Sequence, residues 1–277
     1  MVALLALAGA LCWGVGDFFG GIASRRMAVI AVLAISQAIG LAGLLIWVGA
    51  TRESFPGIEN LLPAVAAGVA GLVGLGALYR GLAVGAMGIV APISAASPVV
   101  GLSADALQGT SPAALQWLGI ALVLAGIATL SRERATEGRS RVASGVGLAL
   151  VAALGFGLFV VGLDAGSDES AAWAVVAART TSVAVAVVVA LIVSASLRPS
   201  PKTWSLLIAV GVGDTLANVL VATATTQGSV GIVAVLSAMY PVVTVLLARL
   251  FLDERLTTSK RVGGAVAIGG AVLVAAG

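Results

Sequence analysis

The stretch "VGIVAVLSAMYPVV" at residues 230–243 repeats the stretch "MGIVAPISAASPVV" at residues 87–100 with few changes. A shift of 143 residues aligns them, and ten of the sixteen positions between residues 85–100 and 228–243 are then identical. The identities include Pro98 with Pro241 and Ser94 with Ser237. Abundant Ala, Val and Gly would give scattered matches, but they would not align a proline with a proline. We therefore predict an internal duplication.

The composition indicates that the duplicated chain is a membrane protein. Hydrophobic residues make up 60% and charged residues only 10% of the 277, whereas soluble domains carry about 25% charged residues. Ten continuous apolar stretches are long enough to cross a bilayer as helices, which takes about 20 residues. They are residues 2–23, 28–50, 61–81, 84–104, 114–131, 143–163, 171–196, 204–224, 228–251 and 260–276. The alternating pattern of a membrane β-barrel is absent, so we predict an all-α polytopic membrane protein.

The ten spans divide into two repeats of five. We predict a first repeat at residues 1–131, a polar linker at residues 132–142, and a second repeat at residues 143–277. Because five is odd, the second repeat enters the membrane from the opposite side. Such an inverted-topology repeat is typical of secondary transporters, whose substrate site lies near mid-membrane between the repeats.

Cationic residues indicate the orientation of the spans. Odd-numbered loops carry nearly all of them: Arg25, Arg26, Arg132, Arg134, Arg139, Arg141, Arg198, Lys202, Arg255, Lys260 and Arg261. Among even-numbered loops only loop two has a cation, Arg52. The positive-inside rule then predicts that the linker is cytoplasmic and both termini extracytoplasmic, in a bacterial-type inner membrane. Since the basic residues lie in short loops that set topology, we expect no nucleic-acid partner.

A family likeness is carried by the end and the beginning of the chain. The segment "SAMYPVVTVLLARLFLDERLTTSKRVGGAVAIGGAVLV", residues 237–274, resembles the closing part of ten-helix EamA-type transporters of the drug/metabolite transporter superfamily. "ALCWGVGDFF", residues 10–19, resembles that family's first helix. The resemblance spans essentially the whole chain and implies export of amino acids, including aromatic ones, or of other metabolites. Gln37 and Gln108 depart from it, because the family often has Arg and Glu there.

Three charged residues lie deep in the predicted spans: Asp17, Asp214 and Arg179. A charge at a helix centre costs about 2.5–3.5 kcal/mol on insertion scales, so it needs a partner or access to water. Two interpretations stay open. The aspartates carry protons or bind a substrate amine while Arg179 faces a substrate carboxylate, or Arg179 pairs with one aspartate and fixes helix packing.

The predicted substrate cavity takes further side chains from the spans that carry the repeated prolines and from their neighbours. They are Trp13, Tyr79, Ser94, Ser97, Phe156, Asn218, Ser237 and Tyr240. Lone serines can instead bond their own helix, and Trp13 and Phe156 could equally face lipid. Proline lacks an N–H and clashes with the preceding turn, so we predict that Pro98 and Pro241 kink their helices, shape the cavity and ease its gating.

Several function classes are disfavoured by what the chain lacks. It has no histidine and a single cysteine, Cys12, so neither an enzyme nor a cofactor or metal site is expected. The leading hypothesis is a secondary transporter that exports small metabolites, amino acids first among them, by alternating access. The alternatives are a proton-coupled antiporter of drugs or cations and, from another class, a non-transporting membrane sensor. Expected partners are a small-molecule substrate, the lipid bilayer and protons, with the chain a monomer or weak oligomer.

Overall fold

The computed structural model describes residues 1–24, 26–84, 93–94, 96–131, 139–251 and 257–277. Helices form nearly all of this part of the chain, and no strand occurs in it. The helices are α1 Val2–Ser24, α2 Val29–Thr51, α3 Ile58–Val84, α4 Pro98–Leu107, α5 Ala114–Ser131, α6 Arg139–Ala165, α7 Ala171–Ile192, α8 Pro201–Thr225, α9 Val230–Ser237, α10 Tyr240–Phe251 and α11 Thr258–Ala276. The protein is an all-α polytopic membrane protein built from two inverted repeats of five spans.

Seven of the described helices are long and apolar enough to cross a bilayer: α1, α2, α3, α6, α7, α8 and α11. Large apolar side chains such as Leu4, Ile46 and Leu150 are exposed on the outer surface. Such a surface suits hydrocarbon, where the helix satisfies its own backbone groups. We call the end that carries residues 25–28 the loop-one end and the end that carries residues 52–57 the loop-two end.

The two repeated prolines stand at helix starts, which differs from the predicted kinks. Pro98 is the first residue of α4, and Pro241 is the second residue of α10. The ninth span is interrupted, since α9 ends at Ser237 and α10 begins at Tyr240. A proline in the first turn of a helix loses no hydrogen bond, and its fixed φ suits that position. Pro241 therefore begins the second part of the broken ninth span, and Pro98 begins α4 directly after a turn at residues 96–97.

The two repeats interleave, so that the main helix contacts join one repeat to the other. α1 packs on α8 and α10, and the equivalent helix α6 packs on α3 and α4. Likewise α2 packs on α8, and its equivalent α7 packs on α3. Two further pairs join equivalent helices, α2 with α7 and α5 with α11, and α4 of the first repeat also packs on α9 of the second. Exchanging the repeats leaves this contact pattern unchanged, as a two-fold pseudosymmetry requires.

Equivalent glycines make equivalent contacts where the broken spans resume. A methyl group built on Gly14 would lie 2.5 Å from Cβ of Val243 and 2.7 Å from the carbonyl oxygen of Tyr240. A methyl group on Gly157 would lie 2.4 Å from Cβ of Val100 and 2.8 Å from the carbonyl oxygen of Ser97. Real Cβ atoms do not approach so closely. Only glycine therefore lets α1 and α6 lie against the starts of α10 and α4.

The linker prediction lies mostly outside the described part of the chain. Residues 132–138 are not described, and α6 begins at Arg139. The last residues of the predicted linker, 139–142, are therefore the first turn of α6 rather than loop.

We expect Gly14→Ala and Gly157→Ala each to destabilise the protein by about 1–3 kcal/mol, the usual cost of overpacking a close contact. The physical reason is that the obstacle includes backbone oxygens, which cannot rotate away. Thermal unfolding of the purified protein in detergent measures the effect. Gly43→Ala is the matched control, because a methyl group there meets nothing within 4 Å. Melting temperatures equal to that of the control would show that these contacts do not constrain the fold.

Candidate functional site

A cavity of about 480 Å³ occupies the middle of the helix bundle. On α1 its lining runs from Trp13 to Ser24, and on α3 it runs from Gly68 to Leu78. Val29, the first residue of α2, also lines it. Because Ser24, Val29 and Leu78 lie near the loop-one end, the cavity extends from mid-membrane toward that end. Its volume falls in the range of about 300–1,000 Å³ that is typical of small-molecule sites.

Most of the side chains predicted for a cavity lie in this one. Those that line it are Trp13, Asp17, Ser97, Phe156, Arg179, Asp214, Asn218, Ser237 and Tyr240. Ser94 is buried and does not belong to this lining. Tyr79 is in α3, but its side chain lies outside the described part. The prolines stand beside the cavity, each directly after a lining residue. What these residues do for a substrate remains a prediction.

Trp13 faces the interior of the protein rather than lipid. Its indole Nε1 donates a hydrogen bond to Oδ1 of Asn218 at 2.9 Å, and its ring meets Tyr240 edge-on at 6.4 Å between centroids. The repeat-equivalent residue Phe156 lines the same cavity, as does Phe159. Aromatic rings thus form much of the apolar wall, and Asn218 and the Tyr240 hydroxyl add polar groups.

Arg179 and Asp214 form an ion pair at the cavity wall. Nη2 of Arg179 contacts Oδ2 of Asp214, and the arginine side chain is 6% exposed while the aspartate is 32% exposed. The arginine is thus embedded between α7 and its neighbours, and the aspartate borders the cavity. Arg179 therefore pairs with one of the two aspartates, as one of the two interpretations expected, and its role toward a substrate stays a prediction. The ion pair does not use the whole guanidinium group of Arg179, since its Nε is buried without a hydrogen-bond partner among the described residues.

Asp17 is the second carboxylate in the cavity. Asp17 lies close to Asp214, because its neighbour Gly16 packs against α8. A methyl group built on Gly16 would be 3.6 Å from the Asp214 backbone nitrogen. Within the described part of the chain, Asp17 forms no ion pair like the one between Arg179 and Asp214. Asp17 is also exposed to the cavity. With both aspartates ionised, two carboxylates and one guanidinium group give this cavity one excess negative charge.

Gln37 is a buried polar cavity residue that the sequence reasoning did not predict. It is 7% exposed, lines the cavity from α2, and its Oε1 has no hydrogen-bond partner in the described structure. Amide oxygen and nitrogen are assigned rather than observed, so this group can donate as well as accept. The available signal was a buried amide in an apolar span, aligned by the repeat with Thr180 beside Arg179.

Serines on the cavity wall are partly satisfied by their own helices. Oγ of Ser237 donates to the carbonyl oxygen of Ala234 at 3.2 Å, and Oγ of Ser182 donates to that of Ala178 at 3.0 Å. Such backbone bonds are common for hydroxyls in membrane helices. These serines can accept a further hydrogen bond from a ligand, but their positions alone do not indicate one. Among the described residues, no group of three or more His, Cys, Asp or Glu side chains could hold a metal ion.

Comparison with known proteins gives a family and a fold. The model of the EamA-like transporter family matches residues 1–132 and again residues 143–276. Twenty-nine chains of solved structures match. One of them, titled only "Crystal structure of protein", has a TM-score of 0.79 and 19% identity and covers 98% of this chain and 95% of its own. No curated protein matches.

We expect neutralisation of Asp214 to lower the stability of the protein and neutralisation of Asp17 not to lower it. Asp214→Ala leaves Arg179 buried without its counter-charge. Removing one partner of a buried pair costs about 3–5 kcal/mol, and we expect about 1–3 kcal/mol here because solvent in the cavity screens the partly exposed aspartate. Asp17→Asn removes an uncompensated charge and should leave stability unchanged or raised.

Thermal unfolding in detergent measures both, and the single variants Arg179→Leu and Asp214→Leu with their double variant complete the comparison. Because both charges are absent from the double variant, its loss should be smaller than the sum of the single losses. Additive losses, or an Asp17→Asn loss as large as that of Asp214→Ala, would contradict the pairing.

Proposed function

Because the chain belongs to the EamA-like transporter family, we propose that it is a secondary transporter that exports small zwitterionic metabolites, amino acids first among them. The observation that carries the substrate class is the pairing of donors and acceptors in one aromatic cavity. Asp17 is a carboxylate without a cationic partner in the described structure. Arg179 and Gln37 each hold a buried polar atom that has no hydrogen-bond partner there.

Asp17 is suited to bind the ammonium group of the substrate. A carboxylate that borders a cavity and lacks a counter-charge gains most from a ligand that brings a positive charge. Hydrogen bonds between charged groups are also the stronger ones in proteins. In the empty cavity, water reaching in from the loop-one end would solvate this carboxylate.

Arg179 and Gln37 are suited to bind the substrate carboxylate. The guanidinium group keeps its Nε–H unbonded within the described part, and the amide of Gln37 can donate once its orientation is set by a ligand. Leaving a buried polar atom unpaired, such as Nε of Arg179 or Oε1 of Gln37, costs about 1–3 kcal/mol. A substrate that pairs them recovers that cost, and this selects for a ligand with an acceptor at that end.

The aromatic wall is suited to the apolar part of the substrate. Trp13, Tyr240, Phe156 and Phe159 offer ring faces and edges, and aromatic pairs prefer such offset or edge-on arrangements. We therefore place apolar and aromatic amino acids ahead of polar ones as substrates.

Alternating access would occur between the two repeats, which we assign to residues 1–131 and 143–277 about the linker 132–142. With the odd loops in the cytoplasm of a bacterial-type inner membrane and the termini outside, the loop-one end is cytoplasmic. The cavity would then be open to the cytoplasm, ready to load a substrate for export. Protons remain candidate coupling ions, since Asp17 and Asp214 are the acids that border the cavity.

The excess negative charge favours a second candidate, a proton-coupled antiporter of organic cations. A monovalent cation would neutralise the cavity completely, and such a substrate needs neither Gln37 nor the free Nε of Arg179. The two candidates therefore differ in whether the substrate must carry a carboxylate. A non-transporting sensor, by contrast, would bind a ligand without moving it.

The test compares an amino acid with its decarboxylated amine, for example tryptophan with tryptamine. The purified protein is reconstituted into proteoliposomes, and counterflow and competition are measured with and without a pH gradient. Export of zwitterions predicts that the amine competes at least about ten-fold less well, since a lost hydrogen bond to a charged group is worth about 1.5–3 kcal/mol. Preferred uptake of the amine, driven by the pH gradient, would select the cation antiporter. Binding without flux of either compound would select the sensor.

We expect Asp17→Asn to weaken both compounds and Gln37→Leu to weaken the amino acid alone, by roughly ten-fold each. Gln227→Leu, an exposed amide in the loop after α8, is the matched control. Equal effects of Gln37→Leu on the acid and the amine would contradict the carboxylate role of that residue.

A further inference from the structure

Asp105 of α4 joins the two repeats at the loop-two end. Its Oδ2 accepts a hydrogen bond from Oγ of Ser229 at 2.5 Å and another from the backbone nitrogen of Gly231 at 2.8 Å. The residue is 4% exposed. Ser229 is also the N-cap of α9, since its Oγ accepts from the backbone nitrogen of Ile232 at 3.2 Å. A carboxylate of the first repeat thus completes the N-terminus of a helix of the second.

Glu53 makes a contact of the same construction. Its Oε1 accepts a hydrogen bond from Oγ of Ser170, and Ser170 caps α7 by accepting from the backbone nitrogen of Trp173 at 3.1 Å. The indole Nε1 of Trp173 also donates to the carbonyl oxygen of Glu53 at 3.2 Å. The ring of Phe55 meets that indole edge-on at 5.0 Å.

We call these the two carboxylate–serine contacts: Asp105 with Ser229, and Glu53 with Ser170. In each, a carboxylate of the first repeat accepts from a serine that caps a helix of the second. The positive end of a helix dipole attracts negative charge, so both carboxylates occupy favourable positions. Both contacts lie at the loop-two end, opposite the end toward which the cavity extends.

We propose that the two carboxylate–serine contacts hold the loop-two end closed and must separate when the cavity opens there. This inference rests on the alternating access of the proposed function. Opening that end requires the repeats to move apart, and these contacts join the repeats directly. Polar contacts of this kind can separate at low net cost, because water replaces the lost hydrogen bonds as the end becomes wet.

α9 connects the Asp105 contact to the cavity. This helix has only eight residues, Val230–Ser237. Its first turn carries the bond from Gly231 to Asp105, and Ala234 and Ser237 further along line the cavity. Because the span is broken after Ser237, α9 can tilt as a short rod without moving α10 by the same amount. A ligand against its last turn would therefore act on the contact at its first turn.

Accessibility of one cavity cysteine tests the proposal. In a Cys12→Ser background, Ser97→Cys places the probe in the cavity, and an impermeant maleimide is applied to either face of oriented vesicles. We expect Asp105→Ala and Glu53→Ala each to raise the labelling rate from the loop-two face several-fold, with a larger rise in the double variant. Labelling from the loop-one face should fall. Asp168→Ala removes an exposed carboxylate of loop six at the same end and should change neither rate.

Variants that keep part of each contact separate closure from folding. Asp105→Asn retains an acceptor for Ser229 and Gly231 and should give an intermediate labelling rate. Ser229→Ala leaves the hydrogen bond from Gly231 to Asp105 in place and should also give an intermediate labelling rate. It replaces Asp105→Ala if that variant does not fold. Folded variants with lowered melting temperatures and unchanged labelling would overturn the proposal and leave the contacts a purely structural role. Labelling needs no substrate, so a wrong substrate class does not alter its reading, and transport with unchanged labelling would leave the proposed function intact.

Discussion

Hydrocarbon offers a broken helix nothing to bond with, so a span can be interrupted at mid-membrane only where protein or a wet cavity surrounds the break. The ninth span is broken at Ala238 and Met239, which are 7% and 6% exposed. α1 covers the place where the helix resumes, since Gly14 packs against the Tyr240 carbonyl. Oγ1 of Thr244 donates to the carbonyl oxygens of Tyr240 at 3.1 Å and Gly14 at 3.2 Å. The break therefore has to lie at the centre of the protein, and so does the cavity beside it.

Interleaving of the repeats follows from the same requirement. A broken span of one repeat is covered by the first helix of the other, α10 by α1 and α4 by α6. Close approach of these helices depends on glycine at both equivalent positions. The outer helix pairs are held by apolar contacts, while polar contacts between the repeats occur around the cavity, at the loop-two end and, from Arg26 to the carbonyl oxygen of Lys202, at the loop-one end.

Sequence reasoning found the spans and the duplication, because hydropathy and a residue offset are local or periodic signals, and nine of the eleven side chains predicted for a cavity line the one described. The repeated prolines lie beside the cavity, as predicted, although they begin helices instead of bending them. That difference depends on how the chain turns at Ala238, for which the sequence has no strong local sign. The pairing of Arg179 with Asp214 rather than Asp17 could not be decided, since both aspartates lie on helices that reach the same cavity. The contacts of Asp105 and Glu53 went unnoticed, because each joins residues more than a hundred positions apart.

The scaffold is symmetric but its charges are not. At the repeat offset, Asp17 corresponds to Val160, Arg179 to Ser36 and Asp214 to Gly71, so each charged residue faces an uncharged counterpart. A strictly two-fold protein would have the same free energy whether open at one end or the other, and its ligand would meet the same groups in either state. In the proposed transport cycle, rocking the repeats would carry Asp17 on α1, and the ion pair on α7 and α8, into surroundings that differ between the two states. The inverted duplication would then supply two interconvertible shapes, while the three unmatched charges would remove their energetic equivalence and give the cycle a preferred resting side.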